Sequence, residues 1–216
     1  MLRAWHAVCE EHTEDLAKIV TWENGKPLAE AVGEVKYGNS FFEWFSEEAP
    51  RIYGDVIPSS VKGNRIVTIR QPIGVAGIIT PWNFPIGNIL QWPLLTVAMI
   101  TRKVGAAIAA GCTVVIKPAS ETPYSALALA ELAEKAGIPK GVINMVTAHK
   151  NTSDVGSEFC ENPMVRKISF TGSVSSRPSI KISWLDASWK TFDEPGFWKI
   201  EEALSRTRRK CSCLNL

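Results

Sequence analysis

The spacing of apolar positions divides the chain into a helical beginning and a middle where strands and helices alternate. Leu2, Trp5, Val8/Cys9, Leu16 and Ile19 return to one face at the helical period, with Glu10, Glu11, Glu14 and Asp15 opposite. That pattern predicts one amphipathic helix over residues 2–20. Asn24-Gly25 and Pro27 interrupt it, and a second helix is predicted over residues 28–48, with Val32, Val35, Phe42 and Phe45 on the buried stripe and Pro50 as the stop. From Arg65 the period changes. Residues 65–70 are β-branched and read as a strand, and Pro72-Ile73-Gly74 turns the chain. Residues 75–80 form a continuous apolar run of the kind a doubly covered strand needs.

Helices and strands then take turns along the chain. A helix over 98–110, a strand over 113–116, a helix over 124–136, a strand over 142–146, a short helix over 153–160 and a strand over 167–170 are predicted. Gly111 and Gly137 fall where a left-handed helix cap is wanted. This alternation implies an α/β fold, a Rossmann-like parallel sheet flanked by helices. Three segments are expected: an N-terminal helical segment (1–64), a Rossmann-like region (65–174) and a divergent, poorly ordered tail (175–216).

Composition narrows the function classes. The 216 residues are 45% hydrophobic and 21% charged, too apolar for whole-chain disorder, and five scattered cysteines make no disulfide framework. No apolar run is long enough to span a membrane, and the acidic first residues resemble neither a secretory nor a mitochondrial leader. Net charge is +2, with the excess basic residues in 175–216, including the Arg206–Lys210 run. A solvated tail accounts for that run better than nucleic acid does, so neither nucleic acid nor membrane is expected as a partner. No metal site is expected either: His6, Cys9 and His12 drift around a helix, and Cys211-Ser-Cys213 stands without partners.

In an open parallel sheet, ligands sit beyond the carboxyl ends of the strands. Three such ends carry suggestive residues. In Thr80-Pro81-Trp82-Asn83-Phe84-Pro85 two prolines fix the backbone around an amide, serving either a structural turn or a rigid hydrogen-bond donor. Lys117-Pro118-Ala119-Ser120 offers an ammonium to a ribose or phosphate, or else a lysine solvated at a strand end. Phe170-Thr171-Gly172-Ser173 permits close backbone approach. No G-x-G-x-x-G and no G-x-x-x-x-G-K-[ST] occurs.

TPWNFP, the run AMITRKVGAAIAAGCTVVIKPASETPYSALALAELAEKAGIPKGVIN, and KISFTGS, in that order, resemble the aldehyde dehydrogenase superfamily. FFEWFSEEAPRIYGDVIP and ITRK are most similar to its succinate-semialdehyde-oxidising branch. The resemblance covers about residues 2–173 and implies a partial aldehyde dehydrogenase fold whose Rossmann variant binds NAD or NADP without the glycine fingerprint. It implies oxidation of succinate semialdehyde to succinate in 4-aminobutanoate degradation, with Asn83 as oxyanion stabiliser, worth about 2.7–4 kcal/mol of barrier. Arg102 would hold the substrate carboxylate as a bidentate fork. Trp82, Lys117, Pro118, Ala119, Ser120, Gly172 and Ser173 would contact the cofactor. Ser120 replaces a glutamate of NAD-preferring relatives, so NADP is expected to be tolerated or preferred. The resemblance also implies homo-oligomers and a mitochondrial location, although no targeting segment is visible.

The chain departs from the family in three places. The family's nucleophilic cysteine and general-base glutamate lie in motifs like GQ-x-C and ELGG, and neither is present; Cys112 opens a buried strand and is a poor substitute. An insertion, residues 86–97, separates Asn83 from Arg102. The sequence after Ser173 matches no family pattern. Three readings are left open: an incomplete dehydrogenase inactive alone, a non-catalytic NAD(P)-binding or subunit-interaction fragment, and a chain that does not fold independently.

Overall fold

The computed structural model describes residues 1–81 and 96–171, together with the backbone of Thr191 and Phe192. The predicted first helix is two helices, α1 (Leu2–Glu11) and α2 (Thr13–Asn24). The break has a local cause. Thr13 Oγ1 donates to the Glu10 carbonyl at 2.8 Å and to that of Cys9 at 3.3 Å, and His12 leaves helical geometry at φ −100°, ψ 18°. A side chain that captures nearby carbonyls competes with the helix, and apolar periodicity does not register it. Gly25 closes α2 at φ 73°, the left-handed cap that glycine adopts without steric cost.

Helix α3 (Leu28–Glu48) has the predicted bounds and ends in a 3-10 turn, Ala49–Arg51, that contains Pro50. Its stripe buries Val35 and Phe42, and Phe42 stacks on Trp5 of α1 with ring centroids 3.9 Å apart. Strand β1 (Asp55–Pro58) was not predicted, because a four-residue segment ending in proline lacks alternation. It pairs antiparallel with β2 (Arg65–Thr68), Val56 opposite Val67 and Ile57 opposite Ile66. The two strands form a separate ribbon, so β2 takes no part in the main sheet.

That sheet is parallel, in the order β5-β4-β3-β6-β7. Its members are β3 (Val75–Ile79), β4 (Thr113–Lys117), β5 (Ile143–Met145), β6 (Val165–Phe170) and β7 (Thr191–Phe192). Helices α4 (Thr96–Ala109), α5 (Pro123–Lys135) and α6 (Thr152–Glu161) connect them. Only β7 of the expected tail is described, and the remainder of 175–216 lies outside the described residues.

Alternate side chains of the strands feed two cores. Ala76, Ile78, Val114 and Ile116 pack with α1–α5, whereas Ile79, Val115 and Ile168 pack with Val155, Phe159 and Cys160 of α6. Helices therefore cover both faces, as the sequence predicted. Gly77 permits the second packing, since a Cβ there would lie 3.0 Å from the Phe159 ring. Strand order runs outward from β3 through β4 to β5, then reverses to β6. The reversal makes the gap between β3 and β6 the topological switch point of the sheet.

Candidate functional site

The carboxyl ends of β3, β4 and β6 are stitched together by their backbones. Thr80 N–H donates to the Lys117 carbonyl at 3.3 Å, and Thr171 N–H donates to the Ile79 carbonyl at 3.1 Å. These bonds carry the parallel ladder one residue past the assigned strands. All three segments singled out in the sequence therefore begin at one edge of the sheet, beside the switch point. Trp82, Asn83, Gly172 and Ser173 lie outside the described residues.

Lys117 is 3% exposed, which removes the reading of a solvated strand-end lysine. Its ammonium donates to the Pro118 carbonyl at 3.0 Å. Burial pushes its pKa below the ordinary lysine value, and the Glu121 carboxylate pulls it part of the way back. Among the described residues the Pro118 carbonyl is the one hydrogen-bond partner of an ammonium that carries three donors. Ala119 is buried beside it, whereas the half-buried Ser120 directs its hydroxyl to Glu121 Oε2 at 3.1 Å. Ser120 thus removes a charge at its own position, but an acidic side chain stands one residue further on.

Arg102 is half-buried on α4. Its neighbour Lys103 reaches β6, donating to Ser169 Oγ at 2.9 Å. Cys112 is buried immediately before β4, as expected of packing. Cys9 is also buried, and desolvation raises its thiol pKa to about 12. No group of three potential metal ligands occurs among the described residues.

Three carboxylate and ammonium groups were missed by the sequence reading. Glu34 is buried on the inner stripe of α3 and pairs with Lys26, both side chains being 0% exposed. The same carboxylate accepts from Val97 N–H, in the first turn of α4, at 2.6 Å. Glu23, at the end of α2, accepts from the backbone N–H groups of Tyr124 and Ser125, the latter at 2.8 Å, and from the Ser125 hydroxyl at 2.5 Å. A signal for Glu34 was present: it falls between Ala31 and Val35 on the buried stripe, where a charge requires a partner.

The fold is a doubly wound α/β sheet, an architecture whose ligands bind beyond the carboxyl ends of the strands at the switch point. The aldehyde dehydrogenase family model matches residues 1–183, and the chain belongs to that family. It is 59% identical over 172 residues to the glutarate-semialdehyde dehydrogenase of Pseudomonas aeruginosa, covering 80% of this chain and 33% of that protein. It is 55% identical over 177 residues to the human mitochondrial succinate-semialdehyde dehydrogenase, covering 82% and 31%. The Escherichia coli NADP(+) succinate-semialdehyde dehydrogenase is 57% identical over 173 residues, covering 80% and 33%. Among solved structures, a succinate-semialdehyde dehydrogenase from Burkholderia pseudomallei superposes with a TM-score of 0.80 at 45% identity, covering 90% of this chain and 38% of that one. The chain spans about a third of the length of these curated relatives.

Proposed function

We propose that this chain is the NAD(P)-binding part of a succinate-semialdehyde dehydrogenase, and that alone it holds the cofactor without turning substrate over. The observation that carries the reading is the buried Lys117 ammonium at the carboxyl end of β4, beside the switch point, with one hydrogen-bond partner among the described residues. An anionic, hydroxyl-rich nucleotide suits such a donor. Lys117 and Ser120 hold the adenosine ribose, and the segments containing Trp82, Gly172 and Ser173 approach the pyrophosphate. When bound, the nicotinamide supplies a hydride acceptor. In the whole enzyme Asn83 stabilises the oxyanion and Arg102 grips the carboxylate of a short semialdehyde, as the names of the relatives suggest. The 216 residues contain neither the GQ-x-C nor the ELGG motif, which is why no turnover is expected. Subunit pairing is assigned to the β1–β2 ribbon, whose Val56 and Val67 are exposed.

The test pairs an NAD(P)H-absorbance assay with succinate semialdehyde and a thermal-shift titration with NAD+ and NADP+. The expected result is no turnover and a melting temperature that rises with cofactor concentration. A cooperative melt that neither cofactor shifts would remove the binding reading. Turnover that survives Cys112→Ala and Asn83→Ala would overturn the account of the absent catalytic groups.

A further inference from the structure

Helix α5 begins directly after the loop that carries the candidate cofactor contacts. That loop, residues 118–122, is fixed at one end by Lys117 in the sheet, and its other end is the first turn of α5. The first turn of any helix leaves its N–H groups without helical partners. Thr122 stands at the N-cap position and is of a type that ordinarily caps. It does not do so here: its buried hydroxyl has no hydrogen-bond partner among the described residues. Pro123 has no N–H to satisfy. The next two N–H groups, of Tyr124 and Ser125, both go to the Glu23 carboxylate, which lies about a hundred residues earlier in the chain. The Ser125 hydroxyl adds a third bond to the same group.

Glu23 is itself held. It precedes the left-handed Gly25 and then Lys26, whose side chain is fully buried against Glu34. A turn anchored in the core by an ion pair presents Glu23 on a short, constrained tether.

We infer that Glu23 is a positioning residue for the nucleotide site, setting the 118–122 loop by clamping the first turn of α5 from outside the sheet. The inference rests on the cofactor reading of Lys117 and Ser120 and adds a residue that itself touches no cofactor. Substitution should therefore weaken nucleotide binding beyond what lost stability explains. Glu23→Gln keeps one acceptor oxygen and loses the charge that strengthens bonds to helix N-terminal donors.

The experiment is calorimetric titration of the full 216-residue chain with NADP+, with melting temperatures measured alongside. Wild type, Glu23→Gln, Ser125→Ala and Val142→Ala are compared. Val142 packs against the main core away from the loop, so Val142→Ala supplies a loss of stability without a positioning defect. The expected result is a Kd raised about tenfold by Glu23→Gln, a smaller rise for Ser125→Ala, and no change for Val142→Ala at comparable destabilisation. Should Glu23→Gln fail to fold, Ser125→Ala, which deletes only the hydroxyl bond, carries the comparison. A Kd unchanged by Glu23→Gln or, failing that, by Ser125→Ala overturns the positioning role while leaving the cofactor reading intact. So does a change that Val142→Ala reproduces. Absence of binding by the wild-type chain removes the cofactor reading, and the positioning role falls with it.

Discussion

Removing one partner of the Lys26–Glu34 pair is expected to be among the most damaging single changes in the chain. Both side chains are fully buried, so the ion pair forms without water to screen it, and Glu34 also accepts from Val97 N–H. Lys26→Met leaves a carboxylate in the core without its buried counter-charge. Glu34→Gln keeps an acceptor for Val97 but leaves the ammonium facing a neutral amide. Breaking a buried pair from one side costs about 3–5 kcal/mol. That is a large share of the roughly 5–15 kcal/mol that holds a whole domain folded. At about 2–4 °C per kcal/mol for a chain of this size, each single variant should melt roughly 6–20 °C below wild type. Lys26→Met/Glu34→Gln removes both charges and keeps the Val97 acceptor, so it should recover most of the loss and show strong coupling in a double-mutant cycle. Chemical denaturation monitored by circular dichroism, at low and high salt, reads all four chains. Arg3→Ala provides the contrast, because the Arg3–Glu47 pair lies on the surface and its loss should cost at most about 1 kcal/mol, less in salt. Single variants that cost under about 1 kcal/mol, or a coupling that fades with salt, would refute the claim that this pair is a core element.

Three further outcomes are expected. Gly38→Ala places a Cβ 2.9 Å from Val97 Cγ1 and 3.3 Å from the Ala98 nitrogen, so α3 and α4 must separate; a loss of about 1–3 kcal/mol in denaturant is expected, and an unchanged midpoint would contradict the close helix contact. Lys117 has its pKa lowered by burial, so the unfolded chain binds its proton more readily and this residue's own contribution to stability, read as the difference between wild type and Lys117→Met, should climb with pH in the window ending near 10.5. Lys117→Met should lose that climb, melt no lower than wild type at pH 7 and bind NADP+ at least about tenfold more weakly; a destabilised variant with full affinity would sink both inferences. The Cys9 thiol, raised from 9.0 to about 12, holds its proton when folded and releases it when unfolded, so stability should fall as pH rises from about 9 toward 12, and Cys9→Ser should flatten that decline; a decline identical in both chains would reject the assignment.

Much of the fold was legible because its elements are governed by local rules. The α3 bounds follow from Pro27, the apolar stripe and Pro50, and the sheet strands follow from short apolar runs between glycines and prolines. The failures are equally physical. His12 breaks the first helix through a threonine hydroxyl, which hydrophobic period does not detect, and β1 has too few residues to show a period. Within the candidate site, strand-end logic singled out Lys117 and Ser120, but the burial that gives Lys117 its character comes from tertiary packing. Glu23, Lys26 and Glu34 were not singled out, because Ser125 and Val97, which meet the two carboxylates, are far away in sequence.

Those same carboxylates bear on the missing glycine fingerprint. A dinucleotide bound in the usual Rossmann manner sets its pyrophosphate on the N-terminus of the helix after the first strand, and glycines let the backbone come close. Among the described residues that helix is α4, whose Val97 N–H already goes to the Glu34 carboxylate. The helix after the second strand is α5, and its first turn receives Glu23. Among the described residues, backbone N–H groups near the start of both helices are thus taken by internal carboxylates, which compete with a phosphate for the same donors. A phosphate-bearing ligand on this edge must therefore be held by side chains and by segments beyond the other strand ends. That requirement matches a buried lysine at the end of β4, and it makes a G-x-G-x-x-G turn unnecessary.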